Sequence, residues 1–288
     1  MTTIISWNIQ TGCGVDGTTD LTRIANTIEG IANADIICLQ EVACFEPGQH
    51  ENNQFDAIHK LFPKYKAIKG YGIQRASKNG FYCFGNMILS RLPVLNIFRH
   101  QLPCPPAKDV KYMPRQATEI TVKTPSGALR VITTHLEFYS QLQRHAQIVR
   151  LRDLHAEVSS LNNQQVVFRE TGPYAPLERP ATAIVCGDFN MVVGSEEYLE
   201  MLSPFDDGQP NFIDAWRVLY SDQPHDPTCG IFDQQQWPQG AHCRDFYFVT
   251  SDLTSRLAAL KVDQKTEASD HQPMVLILDN TATREDSD

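Results

Sequence analysis

The chain has no basic leader followed by an apolar stretch. Strand-like sequence begins at Thr3, so a secretory signal is not expected. No apolar run reaches the about 18 residues that a membrane-spanning helix requires, and stable membrane insertion is not expected. Closely paired cysteines are also missing. The eight cysteines are scattered, and Cys38, Cys83 and Cys186 lie inside apolar runs, where a thiol serves as a small core residue. A reducing, cytoplasmic setting fits this pattern better than a disulfide framework. Cys229, His242 and Cys243 carry ligand-type atoms, but the Cys-x-x-Cys spacing of zinc sites is lacking. Positive charge is scarce as well: the net charge is −9, with only a mild basic cluster at Arg144, Arg150 and Arg152. That disfavours a tight, processive grip on DNA. It leaves open a metal-assisted phosphoesterase, because bound cations can supply the charge that side chains lack.

What is present is ordinary globular composition, 42% hydrophobic and 20% charged, in a chain of 288 residues that can bury a large core. Ile4 to Ile9 reads as a strand. Asp20 caps a helix with the stripe Leu21, Ile24, Ala25, Ile28 and Ile31. Asp35 to Leu39 reads as a short strand buried on both faces, and Phe55 to Phe62 as a second helix. Strand-like runs follow at Tyr65–Ile68, Phe81–Leu89 and Val94–Leu102. Pro125-Ser126-Gly127 separates the two arms of a hairpin, Ala117–Lys123 and Leu129–Thr134. Tyr139 to Leu161 is a long helix candidate. Residues 162–181, with three prolines, read as a loop insertion; Ala183–Cys186 and, later, Phe246–Val249 and Met274–Leu278 read as strands. No repeat of fixed period is visible. The mixture predicts an α/β or α+β fold in one unit, residues 1–279, with a disordered polar tail at 280–288.

The most informative signal is a set of polar motifs that end apolar runs: Ser6-Trp7-Asn8, Leu39-Gln40-Glu41, Thr134-His135-Leu136-Glu137, Gly187-Asp188-Phe189-Asn190, Arg244-Asp245-Phe246-Tyr247 and Ser269-Asp270-His271. They are rich in hard-metal ligands and proton-transfer groups. Phosphoester hydrolysis needs a Lewis acid, a deprotonated water and a stabilised leaving oxygen. Mg²⁺ takes only one or two protein carboxylates and keeps several waters, which suits Glu41, at what reads as a strand terminus, and Asp270. Asx turns, strand caps or a satisfied core histidine are the structural alternatives at Asn8, Asp188, Asn190, His135 and Asp270. Adjacent residues on a regular strand face opposite ways, so Asp270 and His271 serve one site only from a loop. Because the motifs span the chain, its two ends must meet in space.

In this order, across roughly residues 3 to 278, the motifs resemble those of the endonuclease/exonuclease/phosphatase superfamily. It includes pancreatic-type deoxyribonucleases, apurinic endonucleases, inositol polyphosphate phosphatases, neutral sphingomyelinases and deadenylases. The resemblance implies a four-layer α/β sandwich, two mixed sheets face to face with helices outside and the site at one edge. It implies Mg²⁺ or Mn²⁺ held by Glu41 and Asp270 with Asn8 beside them. It implies that His271, oriented by Asp245, activates water or contacts the phosphate. Asp188 and Asn190 would position the nucleophile, and His135 would donate to a phosphate oxygen. Arg115 and Asn86 are second-tier candidates; Arg144, Gln147 and Asp214 read as scaffold. The apurinic branch carries an asparagine motif where Thr134-His135-Leu136 stands, and no carboxylate precedes His135 on the neighbouring run until Glu119. The expected protein is a monomeric metal-dependent hydrolase of phosphoesters. Its substrate is either nucleic acid or a small or lipid phosphodiester; a non-catalytic binding module is the rival from another class.

Overall fold

Apolar runs with both faces buried form the centres of two sheets. In the first, β1 (Thr2–Asn8) lies parallel to β2 (Ile36–Glu46). The strands β13 (Met274–Leu278) and β12 (Leu257–Val262) extend it on one side. On the other side stand β5 (Gly80–Ser90) and β4 (Lys66–Ser77), and β3 (His50–Asn53) pairs with β2 to complete seven strands. The second sheet has six strands in the order β10 (Phe212–Asp214), β11 (Asp245–Thr250), β9 (Ala183–Asp188), β8 (Gly127–His135), β7 (Gln116–Thr124) and β6 (Val94–Gln101). Only β8 and β9 run parallel there, so both sheets are mixed. This computed structural model describes residues 1–46, 50–78, 80–164, 167, 169–205 and 208–281.

The sheets pack face to face through Ile4, Cys38, Ile88, Ile120, Val131, Ile184, Tyr247 and Leu276, all buried. Outside the first sheet lie α1 (Leu21–Ile31) and α2 (Gln54–Leu61), whose Ile24, Ile28, Phe55 and Ile58 meet Ile5, Trp7 and Leu39. Outside the second lie α3 (Gln141–Asn162) and α4 (Glu196–Leu202), with Ile148, Leu151, Tyr198 and Met201 against Val185 and Phe246. The architecture is the four-layer sandwich that the family resemblance implies. Asp20 caps α1 by accepting from the Thr22 and Arg23 N–H groups, and Ser140 caps α3 by accepting from Gln143 N–H. The chain ends do meet: β1 pairs antiparallel with β13 from Thr2 opposite Leu278 to Ser6 opposite Met274.

Several expectations need correction. The strand expected to stop at Leu39 runs on to Glu46, so Glu41 is no strand terminus. The run expected at Tyr65–Ile68 continues to Ser77. Beyond Met191, where the sequence lacks periodicity, the chain forms α4, β10 and α5 (Ala215–Tyr220), and β12 follows later. Elements this short are below the window in which a period is visible. Of the tail, Asn280 is tied down: its side-chain oxygen accepts from Thr2 Oγ1 at 2.8 Å and its carbonyl from Ser126 Oγ at 2.7 Å. The rest of the expected disordered segment, 282–288, lies outside the described residues. Glu119 does not serve His135. It is fully buried, doubly bonded by Arg179 at 2.6 and 2.8 Å, and 3.1 Å from His100 Nε2. Burial alone would raise its carboxyl, but Arg179, His100 and Arg130 hold it down at about 2. It thereby anchors the 162–181 segment and β6 to the sheet.

One glycine decides where the catalytic strand ends sit. Gly187 adopts φ +139°, and a Cβ there would stand 1.9 Å from the Thr134 carbonyl oxygen, across the parallel β8–β9 register that sets His135 opposite Asp188. Gly187→Ala therefore combines an unfavourable φ with a clash against backbone. We expect a loss of about 3 kcal/mol or more in urea unfolding, together with loss of activity. Wild-type stability in that variant would contradict this account.

Candidate active site

Each functional side chain sits where a strand stops or is bent. β1 ends at Asn8. In β2 the register with β5 passes from Leu39–Met87 to Val42–Gly85, so Gln40 and Glu41 together oppose Asn86. This bulge puts Glu41 in the left-handed region, φ 58°, and re-aims its side chain. Gln40 turns inward instead, donating from Nε2 to Thr133 Oγ1 at 2.8 Å. The strand ends His135, Asp188 and Asp245 stand side by side, since Asp188 faces His135 in β8 and Asp245 in β11. Asn190, also left-handed at φ 51°, makes an Asx turn: its N–H donates to Asp188 Oδ1 at 2.9 Å, and its Nδ2 donates to the Leu136 carbonyl at 3.0 Å. Asp270 and His271 lie in the loop between β12 and β13. Ser269 ties that loop to β1 by donating from Oγ to the Asn8 carbonyl at 2.8 Å, and Trp7 Nε1 donates to the His271 carbonyl at 2.8 Å.

These residues converge on one cleft of about 210 Å³, lined by Glu41, His135, Asp188, Asn190, Asp270 and His271. Asn8 Nδ2 lies 3.0 Å from both Glu41 Oε1 and Asp188 Oδ2, bridging the two carboxylates. Around the same Asp188 oxygen, His135 Nε2 stands at 3.5 Å and His271 Nε2 at 3.6 Å. His271 Nδ1 meets Asp245 Oδ2 at 2.8 Å. One ligand atom from each of Asp188, Asp245 and His271 lies within 4.8 Å of the others, a grouping that could hold a metal ion. That set differs from the expected ligands Asn8, Glu41 and Asp270. Asp245 and His271 are already hydrogen-bonded to each other, and Glu41 and Asp270 could also offer oxygens to a hard cation.

The electrostatics separate the two histidines. Burial lowers His135 well below the usual value, and Arg115 and His271 push the same way, so it is a neutral imidazole. Its Nδ1 is buried without a hydrogen-bond partner. Burial would lower His271 also, but Asp245, Asp188 and Asp270 outweigh it and raise this group well above the usual value, making it an imidazolium. Glu41 is raised to about 7, first by burial and then by the charge of Asp270. Asp188 and Asp270 are raised too, burial again leading.

Sequence reasoning left out several residues of the site. Trp237 Nε1 at 3.3 Å and Gln236 Nε2 at 3.0 Å both donate to Asp270 Oδ2, and the Trp237 ring packs edge-on to His271 at 5.6 Å. They come from an irregular loop with no strand-end signal. Arg115, only second-tier in the sequence, is buried in the cleft wall; its Nε is 3.4 Å from Glu137 Oε2 and its Nη1 has no partner. Asn86 donates to the Gln116 carbonyl at 3.2 Å. Gln147 and Arg144 hold the loop after β8, through Glu137 N–H at 2.9 Å and the Glu137 carbonyl at 2.9 Å. Asp214 caps α5 and accepts from Tyr198 OH and His225 Nε2, as scaffold. Cys229 Sγ lies 3.4 Å from His242 Nε2, but burial raises both the Cys229 and Cys243 thiols, and Cys243 donates to the Asp245 carbonyl. No zinc cluster forms there among the described residues.

The model of the Endonuclease/Exonuclease/phosphatase family matches residues 5–271. Among curated proteins no match is found. An endonuclease/exonuclease/phosphatase of Beutenbergia cavernae is similar in structure, with TM-score 0.66 and 22% identity over 96% of this chain and 71% of that one. The mannosyl-6-phosphatase of Bacteroides thetaiotaomicron has TM-score 0.67 and 17% identity over 96% and 99% of the two chains. The human Nocturnin catalytic domain, solved with a bound sulfate, has TM-score 0.58 and 21% identity over 96% and 93%. At such identities these likenesses carry the fold.

A raised carboxyl keeps its proton until the pH passes its folded value, and a divalent cation must displace that proton. Folded Glu41 ionises near pH 7 rather than near its usual 4.5, so ionising it increasingly penalises the cation-free fold between those values. We therefore expect the rise in Tm produced by Mg²⁺ or Mn²⁺ to be larger at pH 8 than at pH 5.5, and Glu41→Gln to flatten that dependence. An equal shift at both pH values in the wild-type protein would refute it.

Proposed function

The chain belongs to the endonuclease/exonuclease/phosphatase family, hydrolases acting on phosphoester bonds, and from that premise we propose how this site works and on what. A divalent cation, Mg²⁺ or Mn²⁺, is the proposed cofactor. The donor set suits it: Glu41, Asp188 and Asp270 crowd one cleft, and among the described residues no lysine or arginine forms an ion pair with any of them. Glu41 and Asp270 would hold the ion, with Asn8 fixing Glu41; when bound, it supplies Lewis-acid polarisation of a phosphoryl oxygen.

The protein's own groups divide the proton work. Asp188, oriented by Asn8 and by the Asn190 N–H, accepts the proton of the attacking water. His271 takes a different role from the water activation its sequence motif suggests. Held as an imidazolium by Asp245, it carries the proton that the departing oxygen needs. His135, whose Nδ1 lies 3.8 Å from Glu41 Oε1, and Arg115, whose Nη1 has no partner, are the cleft groups that would meet the charge developing on the phosphate. The observation that carries this reading is the Asp188 carboxylate, which Asn8, His135 and His271 reach from three distant segments at the floor of one cleft.

Polynucleotides and small or lipid phosphodiesters remain the two substrate readings, and a non-catalytic module is disfavoured because every carboxylate and imidazole of the motifs is kept. The eight free cysteines suit a reducing cytoplasm, where we place the protein, as a monomer.

A screen with Mg²⁺ and Mn²⁺ against plasmid DNA, RNA, sphingomyelin, inositol phosphates and bis-p-nitrophenyl phosphate tests the reaction. We expect Asp188→Ala and His271→Ala each to lower kcat/KM at least about a hundredfold, or about 3 kcal/mol, with urea midpoints near wild type. Near-normal turnover by the purified double variant would rule these roles out.

A further inference from the structure

We infer that Phe138 and Tyr139, set edge-to-face, form an aromatic platform for a planar base, and that this cleft takes a small nucleotide ester rather than a polynucleotide. The inference rests on the phosphoesterase reading above. The two rings follow His135 directly, in the loop between β8 and α3, and line the catalytic cleft. Yet they stay 37% and 53% exposed, too open for core residues. They are also fixed. Phe138 packs edge-to-face on Tyr139 at 4.9 Å and on Trp237 at 5.8 Å. Tyr139 N–H donates to Glu137 Oε1 at 2.9 Å, and Arg144 Nη1 donates to the Phe138 carbonyl at 3.2 Å. A rigid, half-open aromatic surface beside a phosphate site gains most from a flat π-system, because little ordering entropy remains to be lost on stacking.

Charge narrows the occupant. Arg244 lies over the Trp237 ring at 5.4 Å and the Phe138 ring at 5.7 Å. It donates only to neutral acceptors, the Asn190 carbonyl at 3.0 Å and His242 Nε2 at 2.9 Å, so its charge is uncompensated among the described residues. Lys111 Nζ stands 4.7 Å from the Tyr139 ring centroid and donates to its OH at 3.1 Å, so with Arg115 three cationic groups stand near the cleft to meet a nucleotide's phosphate. A long polyanion would meet a chain of net charge −9.

The test compares kcat/KM with Mn²⁺ for adenylyl-adenosine, glycerophosphocholine (a diester without a ring), inositol bisphosphate and a single-stranded oligonucleotide. Quenching of tryptophan fluorescence by adenosine monophosphate is measured without metal. Wild type should prefer adenylyl-adenosine to the ring-free diester by about tenfold or more, the scale of a base–aromatic stack. Phe138→Ala with Tyr139→Ala should collapse that ratio, while Phe138→Trp with Tyr139→Phe keeps it. Equal wild-type rates on the two diesters, proportionate slowing of both in the alanine variant, or preference for the inositol ester or the oligonucleotide overturns the inference. Turnover of esters without quenching sinks the platform and spares the hydrolase reading. Quenching without turnover of any ester does the reverse.

Discussion

The hydrogen bond from Asn8 to Asp188 is the joint on which the site depends. Asn8 ends a strand of one sheet and Asp188 a strand of the other, so a single 3.0 Å contact links the two layers where both stop. The same amide nitrogen also reaches Glu41, fixing the separation of the two carboxylates. A buried carboxylate without a donor is costly, so the contact positions the site and offsets part of its desolvation at once. The apolar layer behind it keeps the sheets from sliding, since a register shift would turn either strand end away from the cleft.

The electrostatic character of the site follows from that geometry. Three carboxylates share a small, partly desolvated volume, and their carboxyls rise above the ordinary range. Asp245, Asp188 and Asp270 in turn hold a proton on His271, while burial, with Arg115 and His271 pushing the same way, leaves His135 neutral. Two imidazoles at nearly equal distance from one Asp188 oxygen thus occupy opposite protonation states. That is the division of labour that acid–base chemistry on a phosphate needs.

Much of this was legible in the sequence, for physical reasons that can be named. Ile4–Ile9, Asp35–Leu39 and Ala183–Cys186 read as strands because they are short apolar runs, and α1 read as a helix because its stripe and its Asp20 cap agree. The polar motifs stood out because carboxylates rarely end such runs without a task. What stayed hidden was non-local. The bulge at Gln40–Glu41 depends on the partner strand, and nothing in Leu-Gln-Glu-Val announces a left-handed residue or a strand that continues to Glu46. Trp237 is invisible as a site residue because its loop has no period and its partner, Asp270, is far along the chain. The protonation of His271 is set by three acids from three segments, and no motif encodes their sum.

The floor and the walls of the cleft come from different kinds of structure. The floor is made of strand ends and bent strand positions, where Glu41 and Asn190 hold left-handed conformations that cost about 1–3 kcal/mol each and persist only because neighbours over-determine them. Such positions tolerate little change. Much of the wall is loop: Phe138 and Tyr139 follow β8, and Gln236 and Trp237 precede β11. Loop side chains can change without disturbing the register below them. Chains sharing about a fifth of their residues can therefore superpose over most of their length, as the B. cavernae and B. thetaiotaomicron proteins do here. That likeness carries the fold, and the substrate must be read from the walls that this chain carries for itself.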